Sequence, residues 1–96
     1  MKKEEVLEFL VSQKESLFRN FQLQKLGLFG SAARSENAND LDIIIEFEPN
    51  TQNLFDKKFQ IQELLEQKFK APVDICREKF IKPSARNLIM KDAIFV

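Results

Sequence analysis

Asp40 and Asp42 stand two residues apart at the head of the run Leu41-Asp42-Ile43-Ile44-Ile45-Glu46-Phe47, which is rich in β-branched residues. On an extended chain such side chains point to the same face, with Cα atoms about 6.5–7 Å apart. Carboxylates so placed can converge on one cation. Acid-x-acid spacing alone fits a polar strand edge or a turn cap equally well. Asp42 weighs against that reading, because a carboxylate bracketed by Leu41 and Ile43 needs a partner, a metal or a raised pKa. A third carboxylate, Asp74, lies in the short apolar run Val73-Asp74-Ile75-Cys76, expected to be another strand. Acidic residues on neighbouring strands can hold a pair of metal ions about 3.5–4 Å apart, a geometry suited to in-line attack on phosphorus. Mg²⁺ binds oxygen at about 2.1 Å and shares its shell with water and substrate phosphates.

Ahead of these acids, the run Leu26-Gly27-Leu28-Phe29 ends abruptly at Gly30-Ser31 and passes into Ala32-Ala33-Arg34. A strand ending in Gly-Ser before a helical turn presents backbone N–H groups and a hydroxyl that can hold a phosphate. Glycine lets the chain come close to it. By itself such a turn more often serves helix capping. Arg34 can reach the same phosphates or simply pair with Glu36. Gly-Ser followed by Asp-x-Asp and a β-branched run carries more weight than either alone, since it sets a phosphate cradle beside a metal site at adjacent strand ends.

These residues need elements to position them. Hydrophobic spacing predicts a helix over 3–19, with Val6, Leu10, Leu17 and Phe21 near one stripe. A strand is expected over 24–29, a helical turn at 32–34, a polar loop over 35–39 and the strongest strand over 41–47. A second amphipathic helix spans 52–69, with Leu54, Phe55, Ile61, Leu65 and Phe69 on one face, and Pro72 ends it. A strand at 73–76, a helix at about 84–92 opened by Pro83-Ser84 and a last apolar piece, 93–96, complete the chain. The order α, β, short α, β, α, β, α predicts an α/β (α+β) fold with a small mixed sheet and helices packed against it.

With 96 residues the chain is read as one domain, 1–96. Fifteen basic and fifteen acidic side chains cancel, which argues against a broad nucleic-acid surface. Arg77, Lys79 and the other cations of the second half read as solvated surface charges. Phenylalanine is expected mostly on helix core faces. There is no histidine, which removes a Cys-His catalytic pair and the commonest zinc ligand, so any metal must be held by oxygen. The lone Cys76 reads as a small buried hydrophobe in a reducing cytoplasm. No run approaches the roughly 20 apolar residues of a membrane helix, and the charged start is unlike a signal peptide.

The run Leu28-Phe29-Gly30-Ser31-Ala32-Ala33-Arg34, then Asp40-Leu41-Asp42-Ile43-Ile44-Ile45-Glu46-Phe47, resembles the minimal nucleotidyltransferase (MNT) family of the DNA polymerase beta superfamily. Val73-Asp74-Ile75 looks like that family's third-carboxylate strand, and Lys82-Pro83 with 87–96 like its closing helix and strand. The resemblance implies the nucleotidyltransferase fold and transfer of a nucleoside monophosphate, AMP from ATP, to a hydroxyl. Gly30 and Ser31, with Arg34, would bind the nucleotide. Asp40, Asp42 and Asp74 would be the catalytic residues and ligate two Mg²⁺ ions, and Asp74 would help deprotonate the acceptor. In many members the acceptor is a tyrosine of a partner HEPN-type toxin, which the transferase silences as its antitoxin. Ser35 departs from the glycine usual after the arginine, and Asn39 from the serine often found before the first aspartate. The chain has no tyrosine, so a tyrosine acceptor must come from a partner. The alternative is a module of the same fold that neutralises a partner by contact alone. A nucleic-acid-modifying transferase is disfavoured by the neutral charge.

Overall fold

The computed structural model describes residues 1–34 and 36–96. The expected loop over 35–39 is therefore described from Glu36 onward, and Ser35 lies outside the described residues. Helix α1, Lys3–Phe21, buries Val6, Leu10 and Leu17 on one stripe. It stops at Gln22, which adopts a left-handed φ of 54° and donates its N–H to the Phe18 carbonyl, a glycine-type helix ending made without glycine. Strand β1, Leu23–Phe29, leads into the one-turn helix α2, Gly30–Ala33. Strand β2, Leu41–Phe47, is followed by α3, Leu54–Phe69, and β3, Val73–Arg77. A 3-10 turn, Glu78–Phe80, then precedes α4, Pro83–Asp92, and the short strand β4, Ile94–Phe95.

The four strands form one sheet in the order β3-β2-β1-β4. β2 runs antiparallel to β1 and parallel to β3, and β4 runs antiparallel to β1. The sheet is therefore mixed, as expected. A parallel β2–β3 pair requires a crossover, and α3 supplies it. Alternate residues Leu26, Leu28, Leu41, Ile43, Ile45, Phe47, Val73 and Ile75 share one buried cluster with Val6, Leu10, Leu17, Ile61 and Leu65 of the long helices. The other residues of β2, Asp42, Ile44 and Glu46, alternate onto the opposite face. There Ile44 is fully buried. Gly27 lies between it and β4: a Cβ built there would sit 2.8 Å from the Ile94 carbonyl oxygen and 3.1 Å from Ile44 Cγ2. β4 can approach β1 this closely because residue 27 has no side chain.

Particular expectations change. Phe55, placed on the inner face of its helix by spacing, is 82% exposed. The inner stripe of α3 is narrower than the sequence suggested and rests on Ile61 and Leu65. Phe59 and Phe80 are exposed as well, whereas the helical Phe9, Phe18, Phe21 and Phe69 pack, partly buried, against the core as expected. Cys76 is half-buried rather than enclosed, and burial pushes its thiol pKa up. The closing apolar piece forms β4, with the Val96 N–H donating to the Leu26 carbonyl at 2.9 Å. Among the described residues, no helix is long and apolar enough to cross a membrane.

Candidate active site

Strand pairing brings the sequence-selected residues together. Asp42 of β2 is in register with Asp74 of the parallel strand β3, and on its other side with Phe29, the last residue of β1. Paired strands lie about 4.8 Å apart. Gly30-Ser31, Asp42 and Asp74 thus sit across three adjacent strands at one end of the sheet. The Leu41 N–H donates to the Pro72 carbonyl at 3.0 Å, which aligns the starts of β2 and β3. Asp40 falls in the bend just before β2 rather than in the strand itself. Asp40 and Asp74 are exposed, and Asp42 is half-buried between them.

Burial, then the charge of Asp74, then that of Asp40, raise the Asp42 pKa above its ordinary value, and only Arg34 acts to lower it. The three carboxyl groups therefore share one field. Among the described residues, no three or more His, Cys, Asp or Glu side chains form a ready-made metal cage. The charge coupling is of the kind a hard divalent cation relieves, a cation that completes its shell with water and substrate phosphates. Such a cation would offset the carboxylate repulsion that, after burial, raises the Asp42 pKa.

Gly30 has a left-handed φ of 74°. A Cβ built on it would collide with the Asp42 carboxylate at Oδ2. Glycine is therefore needed for backbone conformation and for the room Asp42 occupies, a reason the sequence reading did not contain. The first N–H groups of a helix have no intrahelical partner, so the Gly30–Ala33 turn offers donors at this end of the sheet. The Ser31 carbonyl accepts the Glu36 N–H at 3.1 Å, folding the chain back after the turn.

Of the two roles left open for Arg34, the structure realises the ion pair. Its Nε donates to Glu36 at 3.0 Å and its Nη1 to Asp92 of α4 at 3.4 Å. Glu36 foremost, with Asp92 adding, raises the Arg34 pKa.

At the other end of β2 lies a charge network that sequence reasoning missed. Arg77 is not a solvated surface charge. Its side chain is 15% exposed, pairs with Glu46 at 2.7 Å and lies over the rings of Phe47 and Phe80. Glu46 also accepts the Lys79 N–H at 2.8 Å. Burial raises the Glu46 pKa, but the Arg77, Phe47 and Lys79 hydrogen bonds outweigh it and the net shift is downward. Glu78 is buried at 7% exposure between Lys25, at 2.6 Å, and Arg86, at 2.8 Å. Its partners are 8 and 53 residues away in sequence, too far for any local spacing rule to reveal them. An open groove of about 560 Å³ lies here, away from the three aspartates, with Arg77 and Arg86 in its wall. Both of these cations already have carboxylate partners.

The sheet order, the Gly-Ser turn at the end of β1 and the acidic residues on the two strands beside it place the chain among small α/β nucleotidyl-transferring enzymes. More particularly, it belongs to the nucleotidyltransferase domain family, whose model matches residues 10–96. It is 33% identical over 95 residues to a Methanocaldococcus jannaschii protein named, provisionally, as a protein adenylyltransferase, with 96% of this chain and 95% of that protein aligned. It superimposes on a solved structure, described provisionally as a minimal nucleotidyltransferase, with a TM-score of 0.78, 26% identity and coverage of 98% and 95% of the two chains. A further likeness of fold, at TM-score 0.62 and 17% identity over 92% of this chain and 69% of the other, is to a solved complex of a tri-AMPylated Shewanella oneidensis HEPN toxin with an MNT antitoxin.

Proposed function

We propose that the protein is a Mg²⁺-dependent adenylyltransferase that moves AMP from ATP to a tyrosine hydroxyl of a HEPN-type partner and so acts as its antitoxin. The observation that carries this reading is the coupling of Asp42 to Asp74 and Asp40 beside the Gly30-Ser31 turn. Support comes from the name of the Methanocaldococcus relative and from the AMPylated toxin in the Shewanella complex. Gly30 and Ser31 would hold the triphosphate through backbone N–H groups and the serine hydroxyl, with Arg34 beside them. Asp40, Asp42 and Asp74 would hold Mg²⁺, which when bound neutralises charge on the phosphates. Asp74, exposed on the edge strand β3, would take the proton of the incoming hydroxyl as its oxygen attacks the α-phosphorus and pyrophosphate leaves. The protein supplies position and charge rather than a covalent intermediate.

The test is incubation with α-labelled ATP, Mg²⁺ and a HEPN-type partner, with the label followed into protein. Label on a partner tyrosine is expected, together with its loss in Asp42→Asn. Tight complex formation without label transfer would instead establish neutralisation by contact. Retained transfer in Asp42→Asn would remove the metal-site assignment.

A further inference from the structure

Asp92 is the last residue of α4, and its Oδ2 accepts a hydrogen bond from Arg34 Nη1 across 58 residues of sequence. Glu36 takes Nε of the same guanidinium. Nη2 has no hydrogen-bond partner among the described residues. α2 and α4 are in contact, so this ion pair joins the C-terminal helix to the turn that carries Gly30 and Ser31. We infer that Asp92 is a positioning residue: with Glu36 it fixes the Arg34 guanidinium so that Nη2 faces the phosphates of a nucleotide on Gly30-Ser31. The inference rests on the nucleotide reading proposed above.

Charge and positioning predict opposite effects here. Glu36 and Asp92 together place two negative charges around one positive charge, close to where a triphosphate would lie. Were Asp92 only a charge, removing it would reduce repulsion and tighten nucleotide binding. Positioning acts the other way. A free arginine side chain has many rotamers, and a pair of acceptors at different nitrogens removes part of that freedom before the ligand arrives. Asp92→Ala should therefore weaken binding despite the loss of negative charge, by about 3–5-fold for a partly exposed pair. Asp92→Asn keeps an acceptor oxygen while losing the charge, and should bind as tightly as the unmodified chain or more tightly.

The experiment titrates a non-hydrolysable ATP analogue with Mg²⁺ into the unmodified chain, Asp92→Ala, Asp92→Asn, Arg34→Ala and the Arg34→Ala/Asp92→Ala double variant. The Arg34 Nε–H resonance is followed by NMR wherever Arg34 is present. The expected result is weaker binding and an averaged Arg34 resonance in Asp92→Ala, rescue of both in Asp92→Asn, and no added loss in the double variant beyond Arg34→Ala. Asp92→Ser, which shortens the side chain but keeps it polar, carries the same expectation where Asp92→Ala does not fold. Tighter binding in Asp92→Ala, or an equal loss with and without Arg34, overturns the inference alone. An analogue that fails to bind the unmodified chain overturns the nucleotide reading, and this inference with it.

Discussion

At the scale of single residues, Gly30 and Asp42 form one unit. The carboxylate of Asp42 occupies the space a side chain at position 30 would need, and Gly30 holds a left-handed φ besides. Gly30→Ala should lose about 1–3 kcal/mol of stability from strain and collision, measurable by urea denaturation, and should displace Asp42 enough to abolish transfer. Asp42→Asn should behave differently. The Asp42 pKa is raised in the folded chain, so its contribution is fully present below the ordinary carboxylate value and is eroded as pH rises through the raised one. Without metal, Asp42→Asn should therefore be at least as stable as the unmodified chain at pH 7, with the difference vanishing near pH 3. Thermal melts across that range check this. A variant that is folded, no less stable and inactive would separate chemistry from structure at this position.

At the scale of elements, the network around Glu78 ties β1, the 3-10 turn and α4 together. Lys25 comes from β1, Arg86 from α4, and Glu78 lies buried between them. The α4 helix has no fully buried residue of its own, so these ion pairs are an important part of what holds it over the sheet. Hydrogen bonding to Lys25 foremost, opposed by burial and aided by Arg86, lowers the Glu78 pKa. A lowered folded value means that the stabilisation is present above the ordinary carboxylate pKa and is lost as pH falls through the lowered one. Glu78→Gln should cost about 1–3 kcal/mol at pH 7, as a lost charge-assisted pair of hydrogen bonds. The gap to the unmodified chain should narrow as pH falls below the ordinary carboxylate range and close once pH passes the lowered value, where Glu78 itself takes up a proton. A gap that persists once Glu78 is protonated, its titration followed by NMR, would show that packing, not charge, ties down α4.

At the scale of the whole molecule, the site belongs to no single element. Its parts come from the end of β1, the bend and start of β2 and the start of β3, and they meet at one end of the sheet. A ligand that bridges these parts binds the folded chain only and should stabilise it by mass action. Mg²⁺ with ATP at about ten times Kd would contribute about 1.4 kcal/mol, raising Tm by about 6–10 °C in a chain of this size. That shift should be absent in Asp42→Asn and absent when EDTA replaces Mg²⁺. A shift unaffected by either change would place the nucleotide elsewhere on the molecule.

Read alone, the sequence determined the elements and singled out the residues proposed to carry the chemistry. Helix and strand periods, Gly30-Ser31 and the run from Asp40 to Phe47 are local patterns, and local patterns survive without coordinates. The buried stripe of α1 and the alternation of β2 followed from them, as did the proposal that Asp74 belongs with Asp40 and Asp42. Only the tertiary structure decided relations between distant segments. The strand order, the register that sets Asp42 beside both Asp74 and Phe29, the reach of Asp92 to Arg34 and the enclosure of Glu78 all join residues far apart in sequence. Exposure of Phe55 belongs to the same class, since spacing places a residue on a helix face but not how far the neighbouring sheet extends beneath it. The physical reason is common to all of these: packing selects which of several locally acceptable partners a side chain meets. Gly30 shows both halves. Its type was legible as a turn next to a proposed phosphate site, while its necessity comes from a carboxylate twelve residues further along, delivered by strand pairing.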